Sequence, residues 1–118
     1  NIINDQLLGS LEYAAAHLKT PLIVVLGHTS CGAIAAVASG GELEGHIASL
    51  APAIQPAVNK VKDKEGNLTD NAAREVARMT AEQLKNSEPI LADLIKNEKL
   101  KIVPAFYDLQ SGEVSLLQ

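Results

Sequence analysis

The stretch that decides the fold runs Pro21-Leu22-Ile23-Val24-Val25-Leu26-Gly27-His28-Thr29-Ser30-Cys31-Gly32-Ala33-Ile34-Ala35-Ala36-Val37. Its first part, Leu22 to Leu26, is a continuous apolar run and predicts a strand that is buried on both faces. Gly27 to Gly32 predicts a tight turn, and the Ala-rich segment from Ala33 to about Ser39 predicts a helix. A strand, a polar turn and a helix make the first half of a parallel crossover unit, so we expect an α/β fold.

The predicted turn gathers side chains that can bind a metal. Ligands of open α/β sheets bind outside the carboxyl ends of the strands, which is where His28 to Cys31 fall. A neutral imidazole and a thiolate are good zinc ligands, and the start of a helix favours the thiolate of Cys31. A zinc site takes at least three protein ligands, however, and Cys31 is the only cysteine of the chain.

Two other readings of Cys31 stay open at this point. A cysteine on a strand-to-helix turn beside His28 could be an activated nucleophile, although the pattern is not the Gly-x-Ser-x-Gly elbow. Cys31 could also be a small buried apolar residue with no chemical role. We expect His17 to be structural or solvated. His46 is either a helix-start residue or a proton shuttle or ligand.

Hydrophobic periodicity predicts helices before and after this stretch. Asn4 or Asp5 can cap a first helix, and a second helical stretch follows Gly45 but is broken or kinked by two prolines. A surface loop should follow at Lys60 to Asn67, and a long helix from Asp70 or Asn71 to about Asn86. The two prolines of the broken stretch are Pro52 and Pro56. The predicted inward-facing residues are Leu7, Leu11, Ala14 or Ala15, and Leu18 in the first helix; Ile47, Leu50 and Ile54 in the broken stretch; and Ala73, Val76, Ala77, Thr80 and Leu84 in the long helix. On the long helix, we expect Arg74, Arg78 and Lys85 to form the solvated face.

The last third of the chain predicts one more helix and two strands. Ser87 can cap a helix that buries Ile90, Leu91, Leu94 and Ile95. Lys101 to Leu109 and Glu113 to Leu117 read as strands around a turn at Gln110 to Gly112, and Pro104 predicts an edge or an irregularity in the first of them. The sequence predicts about three strands and four or more helices. Three strands are fewer than the about five of a usual sheet, so we expect further strands upstream or a partner subunit.

Composition limits the class of protein. The 118 residues, 47% of them hydrophobic, suffice for one modest domain spanning 1–118. The net charge of −4 argues against a nucleic-acid partner, and no apolar run is long enough to span a membrane. A single cysteine excludes an internal disulfide and fits a reducing compartment, so we expect a cytoplasmic protein, with an organellar or exported form left open because the N-terminus looks truncated.

Several blocks of the sequence resemble the β-class carbonic anhydrases. They are Gly9-Ser10-Leu11-Glu12-Tyr13-Ala14, the run from Leu18 to Ala33, the run from Gln83 to Leu91, and the run from Leu100 to Val114. The resemblance implies a zinc enzyme that hydrates CO2 to bicarbonate, built on a mostly parallel sheet flanked by helices, and assembled as a homodimer or a higher homo-oligomer. The present chain would be the C-terminal portion of that domain, incomplete at its N-terminus.

The resemblance also assigns roles to residues of the turn. His28 and Cys31 would be zinc ligands, Gly32 would line the substrate pocket, and Thr29 and Ser30 would either lie near the metal or cap the following helix. The family's Cys-x-Asp-x-Arg motif, which provides another cysteine ligand and an Asp–Arg pair that activates the metal-bound water, is absent from the 118 residues. We therefore expect no catalytic residue within this chain and a further cysteine ligand outside it. The alternatives are an inactive remnant of the fold, and a site retuned to a related small molecule such as carbon disulfide.

Overall fold

The computed structural model describes residues 1–118 and places the decisive stretch at the edge of a three-stranded sheet. Strand β1 (Leu22–His28) pairs in parallel with β2 (Lys101–Tyr107), and β2 pairs antiparallel with β3 (Val114–Leu116). The register sets His28 opposite Tyr107, so the carboxyl ends of the two parallel strands meet at one edge. Helices pack against this small mixed sheet, which confirms the predicted α/β class.

The chain also forms five α-helices and two shorter helical segments. They are α1 (Asp5–Glu12), continued by a π-helical turn (Tyr13–His17), α2 (Gly32–Ala38), a 3-10 segment (Gly45–Leu50) leading into α3 (Ala51–Val61), α4 (Leu68–Lys85) and α5 (Ile90–Lys96). Asparagine side chains cap two of them: Asn4 accepts a hydrogen bond from the backbone N–H of Leu7 (2.8 Å), and Asn67 accepts one from that of Asp70 (2.9 Å). None of the helices combines the length and apolar composition needed to cross a membrane.

Helix α4 is the centre of the core because it packs against one face of the sheet and contributes to both clusters of buried side chains. Its predicted inward-facing residues are all buried. One cluster joins α2 and α3 to the first half of α4 and to Phe106; the other joins β1, β2 and α5 to its second half. The apolar periodicity of α4 therefore positions both the sheet and the helix that follows β1.

Two arginines of α4 are not solvated as predicted. The guanidinium carbon of Arg74 lies 4.1 Å from the centroid of the Phe106 ring, in a cation–π contact. Arg78 pairs with the buried carboxylate of Glu75, which Lys60 of α3 also contacts, and donates to the carbonyl of Gln118. The prediction was wrong because a long side chain can lay its apolar stem and planar head along the protein surface. The third of these cations, Lys85, forms an ion pair with Glu82, three residues earlier on the same helix.

Strand β1 is buried on one face only, so the prediction of two buried faces was wrong. Val25 and Gly27 are buried against α4, whereas Leu22, Val24 and Leu26, which point the other way, keep 44–47% of their surface exposed. No helix of the chain packs against that second face. The register continues the same face across the sheet. We call its exposed and half-buried aliphatic residues the open face: Leu22, Val24, Leu26, Val103, Val114 and Leu116.

Several element boundaries differ from the predicted ones. β1 extends through Gly27 to His28, so both belong to the strand rather than to the turn. α4 begins two residues earlier than predicted because Asn67, not Asp70, provides its cap. α3 continues through Pro56, its middle residue, as far as Val61, so Lys60 and Val61 belong to the helix and not to the predicted loop. Pro56 has no N–H, so the helix lacks one internal hydrogen bond there.

Four smaller predictions also fail. Leu18 (66% exposed) and Ile47 (49% exposed) do not face inward. No side chain caps α5, which begins at Ile90 after Pro89, so Ser87 is not its cap. Pro104 lies in the central strand of the sheet with unbroken register, and its carbonyl accepts a hydrogen bond from Leu117. It marks neither an edge nor an irregularity.

Candidate metal site at the β1–α2 turn

The structure brings His28 and Cys31 to one place. His28 is the last residue of β1, and Cys31 immediately precedes α2; both are half-buried. Both line a single cavity of about 80 Å³. The remaining lining residues are Asn1, Leu26, Gly27, Ile34 and Ala73. The cavity therefore joins the end of a parallel strand, the start of the next helix and the flank of α4, as expected of a ligand site in an α/β fold.

The ring of His28 is held in one orientation by a backbone hydrogen bond. Its Nδ1 lies 2.8 Å from the carbonyl oxygen of Thr29. Because a carbonyl oxygen can only accept, Nδ1 carries a proton, and in the neutral ring Nε2 then has the free lone pair. Histidines that bind metals usually donate their other ring N–H in this way. The arrangement makes Nε2 the nitrogen available to a metal.

The thiol of Cys31 is free, and His28 is engaged only through Nδ1. A cysteine nucleophile would need Nε2 of His28 as its base, but the structure contains no hydrogen bond between the Cys31 thiol and the His28 ring. Cys31 is also not fully buried, although it packs against the cluster between α2 and α4. These observations favour metal binding over the nucleophile and over a purely apolar role.

Thr29 fixes the turn to the second strand. Its backbone N–H donates to the carbonyl of Tyr107 (3.0 Å), and its hydroxyl oxygen accepts from the backbone N–H of Leu109 (3.0 Å). Neither Thr29 nor Ser30 caps α2, whose N-cap is Cys31 with no side-chain hydrogen bond. The capping alternative was therefore wrong for both residues. Gly32, the first residue of α2, is exposed.

Asp70 was not expected at this turn. Its Oδ1 accepts a hydrogen bond from the backbone N–H of Ser30 at 2.9 Å, across 40 positions of sequence. Ser30 adopts the left-handed backbone conformation (φ 55°), which side-chain-bearing residues seldom adopt. The sequence carries no local signal for this contact, because an aspartate in the first turn of a helix is already explained by the helix dipole.

His28 and Cys31 offer two of the four donors that a tetrahedral zinc site takes. An imidazole nitrogen and a thiolate are the ligand types that zinc prefers, so the residues present fit that metal. No three His, Cys, Asp or Glu side chains of the chain converge to complete the ligand set. His17 is exposed and stacks on Tyr13 (5.1 Å between ring centroids), as expected for a solvated histidine, and His46 is exposed in the 3-10 segment.

A larger concave region exists at the opposite end of the strands. It has a volume of about 520 Å³ and is lined by residues such as Pro21, Lys99 and Lys101. It lies at the amino ends of β1 and β2, where parallel sheets rarely hold a ligand, and it contains neither a histidine nor a cysteine. The chemistry of the side chains therefore points to the smaller cavity.

Sequence comparisons place the chain among carbonic anhydrases. The carbonic anhydrase family model matches residues 1–114. The carbonic anhydrase of Mycolicibacterium smegmatis is 32% identical over 120 residues, covering 98% of this chain and 58% of the relative; carbonic anhydrase 2 of Mycobacterium tuberculosis is 31% identical with the same coverage. The chain thus spans less than two thirds of the length of these relatives.

Solved structures show the same fold. A tetrameric β-carbonic anhydrase of Sordaria macrospora superimposes with a TM-score of 0.87 at 23% identity, covering 99% of this chain and 62% of that one. A β-carbonic anhydrase of Aspergillus fumigatus gives a TM-score of 0.78 at 22% identity, covering 99% and 59%. The family match over nearly the whole chain, the identity with curated relatives and the shared fold lead to one conclusion: the chain belongs to the β-carbonic anhydrase family.

Proposed function

We propose that this chain provides two protein ligands, His28 and Cys31, to the zinc ion of an enzyme that reversibly hydrates CO2 to bicarbonate. The observation that carries the proposal is the pairing of the two residues on one cavity, with Nδ1 of His28 committed to a carbonyl and Nε2 free. The membership of the family supplies the reaction class. When bound, zinc would lower the pKa of a coordinated water towards about 7.

The remaining parts of the site follow from the same proposal. Because zinc takes at least three protein ligands here, the additional cysteine and the Asp–Arg pair are assigned to residues outside the 118, and no residue of this chain is given a catalytic role. Thr29 holds the turn through its backbone N–H and its hydroxyl, and Ser30 holds it through its backbone N–H. In this proposal the backbone at Gly32 borders the substrate. Residues 1–118 act as one domain of the intact enzyme.

The proposal includes a homo-oligomer. The open face combines exposed apolar side chains of β1 and β3 with the half-buried Val103 of β2, and contiguous apolar surface of this kind is typical of an interface. The structurally similar enzyme of Sordaria macrospora is a tetramer, which agrees with such an assembly. CO2 and bicarbonate would be the small-molecule partners. A single free cysteine fits a cytoplasmic location.

Zinc binding and catalysis can be tested separately on the purified protein. Native mass spectrometry reads the mass of the chain and the zinc bound to it, and competition with a chromophoric chelator gives the zinc affinity. We expect His28→Ala and Cys31→Ser each to weaken zinc binding by at least about tenfold, as loss of a ligand must. His46→Ala is the matched control, since His46 is an exposed histidine away from the cavity, and its affinity should equal that of the unsubstituted chain.

Three outcomes of this test differ in meaning. Zinc binding that depends on His28 and Cys31, together with zinc-dependent CO2 hydration in a stopped-flow assay, supports the whole proposal. Zinc binding without hydration supports the ligand assignment and identifies this polypeptide as an inactive remnant of the fold. Zinc binding that is indifferent to both substitutions, or alkylation of Cys31 that zinc does not block, overturns the assignment.

A further inference from the structure

The turn between His28 and Cys31 is fixed on two sides by different elements. Thr29 is bound to the end of β2 and to Leu109 just beyond it. The next residue, Ser30, has the left-handed backbone that most residues avoid, at a cost of about 1–2 kcal/mol relative to the right-handed conformation. Such a conformation persists only where the surroundings hold it. In this structure, a hydrogen bond from the Ser30 N–H to Asp70 of α4 holds the residue in that conformation.

That hydrogen bond is well placed to hold the turn. Oδ1 of Asp70 accepts from the Ser30 N–H at 2.9 Å, while the backbone N–H of Asp70 is itself bound by the Asn67 cap. Further along α4, at Ala73, the helix backbone lies directly against Gly27, so α4 and the end of β1 cannot shift independently. Asp70 is therefore anchored to the same helix that sets the position of His28.

We propose that Asp70 is a positioning residue for the metal ligands: by holding the Ser30 N–H, it keeps the turn in the conformation that directs Cys31 to the same point as His28. The inference rests on the proposed function for its consequence in metal binding, but the effect on the turn stands on its own geometry. Without the Asp70 acceptor, Ser30 is free to leave the left-handed region, and Cys31, the next residue, moves with it.

Two substitutions separate the hydrogen bond from the negative charge. Asp70→Asn keeps an oxygen that can accept from Ser30 and removes the charge, whereas Asp70→Ala removes both. Asp93→Ala is the control, because Asp93 is an exposed aspartate in the first turn of α5 with no contact to the turn. The first readout is the hydrogen-exchange rate of the Ser30 amide in the metal-free chain, measured by NMR. The second is the zinc affinity, measured by chelator competition.

We expect Asp70→Ala to accelerate Ser30 exchange and to weaken zinc binding about tenfold each, in the range that loss of an outer-sphere partner produces. Asp70→Asn and Asp93→Ala should stay close to the unsubstituted chain in both readouts. Unchanged Ser30 exchange in Asp70→Ala, or an equal loss in Asp70→Asn, would overturn the inference.

The two claims fail in different ways. If the unsubstituted chain binds no zinc through His28 and Cys31, the proposed function fails, and Ser30 exchange alone then decides whether Asp70 holds the turn. If zinc binds through both ligands but Asp70→Ala binds it equally well, the proposed function stands and the inference is wrong.

Discussion

At the scale of single residues, Gly27 links the fold to the candidate site. A Cβ built on Gly27 would lie 2.9 Å from the carbonyl oxygen of Ala73, closer than real Cβ atoms approach a backbone atom. Only glycine permits this contact between β1 and α4. Since His28 is the next residue, the position of its ring depends on the same close approach.

Gly27→Ala should therefore reduce the free energy of unfolding by about 1–3 kcal/mol, because the clashing atom belongs to a helix backbone that cannot turn aside. Gly9→Ala provides the matched control: Gly9 lies inside α1 with nothing within 4 Å of a new Cβ, and alanine is the better helix former by up to about 1 kcal/mol. Urea unfolding followed by circular dichroism measures both. Equal stability changes of the same sign would contradict the steric argument.

Residues differ in how far the sequence could predict their roles. His28 and Cys31 could be assigned to one site because a strand-to-helix turn lies between them, so their neighbourhood is local. The contacts of Ser30 with Asp70 and of Arg74 with Phe106 could not, since each joins residues more than 30 positions apart. Nothing in a helix's own periodicity tells whether an arginine on it meets water or a ring from another element.

Among the helices, α4 and α1 are both capped by an asparagine, but they contribute different numbers of buried residues to the core. Asn67 caps α4, which contributes eight buried residues, whereas Asn4 caps α1, which contributes none. The existence and inward face of α4 followed from apolar residues at helical spacing. The first residue of α4 could not be predicted from this spacing, because Asn67, Asp70 and Asn71 are all acceptable caps and the choice among them depends on packing.

Asn67→Ala should lower the free energy of global unfolding by about 1 kcal/mol, since an orphan N–H at the start of α4 loses its acceptor. Asn4→Ala removes the same kind of cap, yet it should mainly increase local fraying of α1, because that helix buries no side chain. Urea titration gives the global value, and amide exchange reports the fraying. A global loss from Asn4→Ala as large as that from Asn67→Ala would contradict this account of the core.

For the molecule as a whole, the open face shows why the prediction that β1 is buried on both faces was wrong. Leu22 to Leu26 is apolar at every position, and such a run is typical of a strand covered on both faces. The chain itself covers one face, with α4. Burial of the second face depends on whatever packs there, and a hydrophobic pattern cannot say whether that cover comes from the same chain. The three strands and most of the helices, by contrast, could be predicted from local patterns.

The open face should drive self-association of the chain. Sedimentation velocity should show species larger than the 12.4 kDa monomer as concentration rises. Val24→Lys combined with Leu116→Lys should shift the population towards monomer, because a charged head would have to be desolvated in the interface. Ile47→Lys is the control, an exposed apolar residue on the 3-10 segment away from the sheet. A chain that stays monomeric at every concentration would argue against an interface on this face.

The central claim, that His28 and Cys31 are zinc ligands, is tested most directly by X-ray absorption at the zinc edge of the zinc-loaded protein. If both residues bind the metal, the spectrum will contain a sulfur scatterer at about 2.3 Å and nitrogen at about 2.0–2.1 Å. Cys31→Ser should diminish the sulfur shell, while His46→Ala should leave the spectrum unchanged. A zinc shell of nitrogen and oxygen alone, or a sulfur shell that Cys31→Ser does not alter, would contradict it.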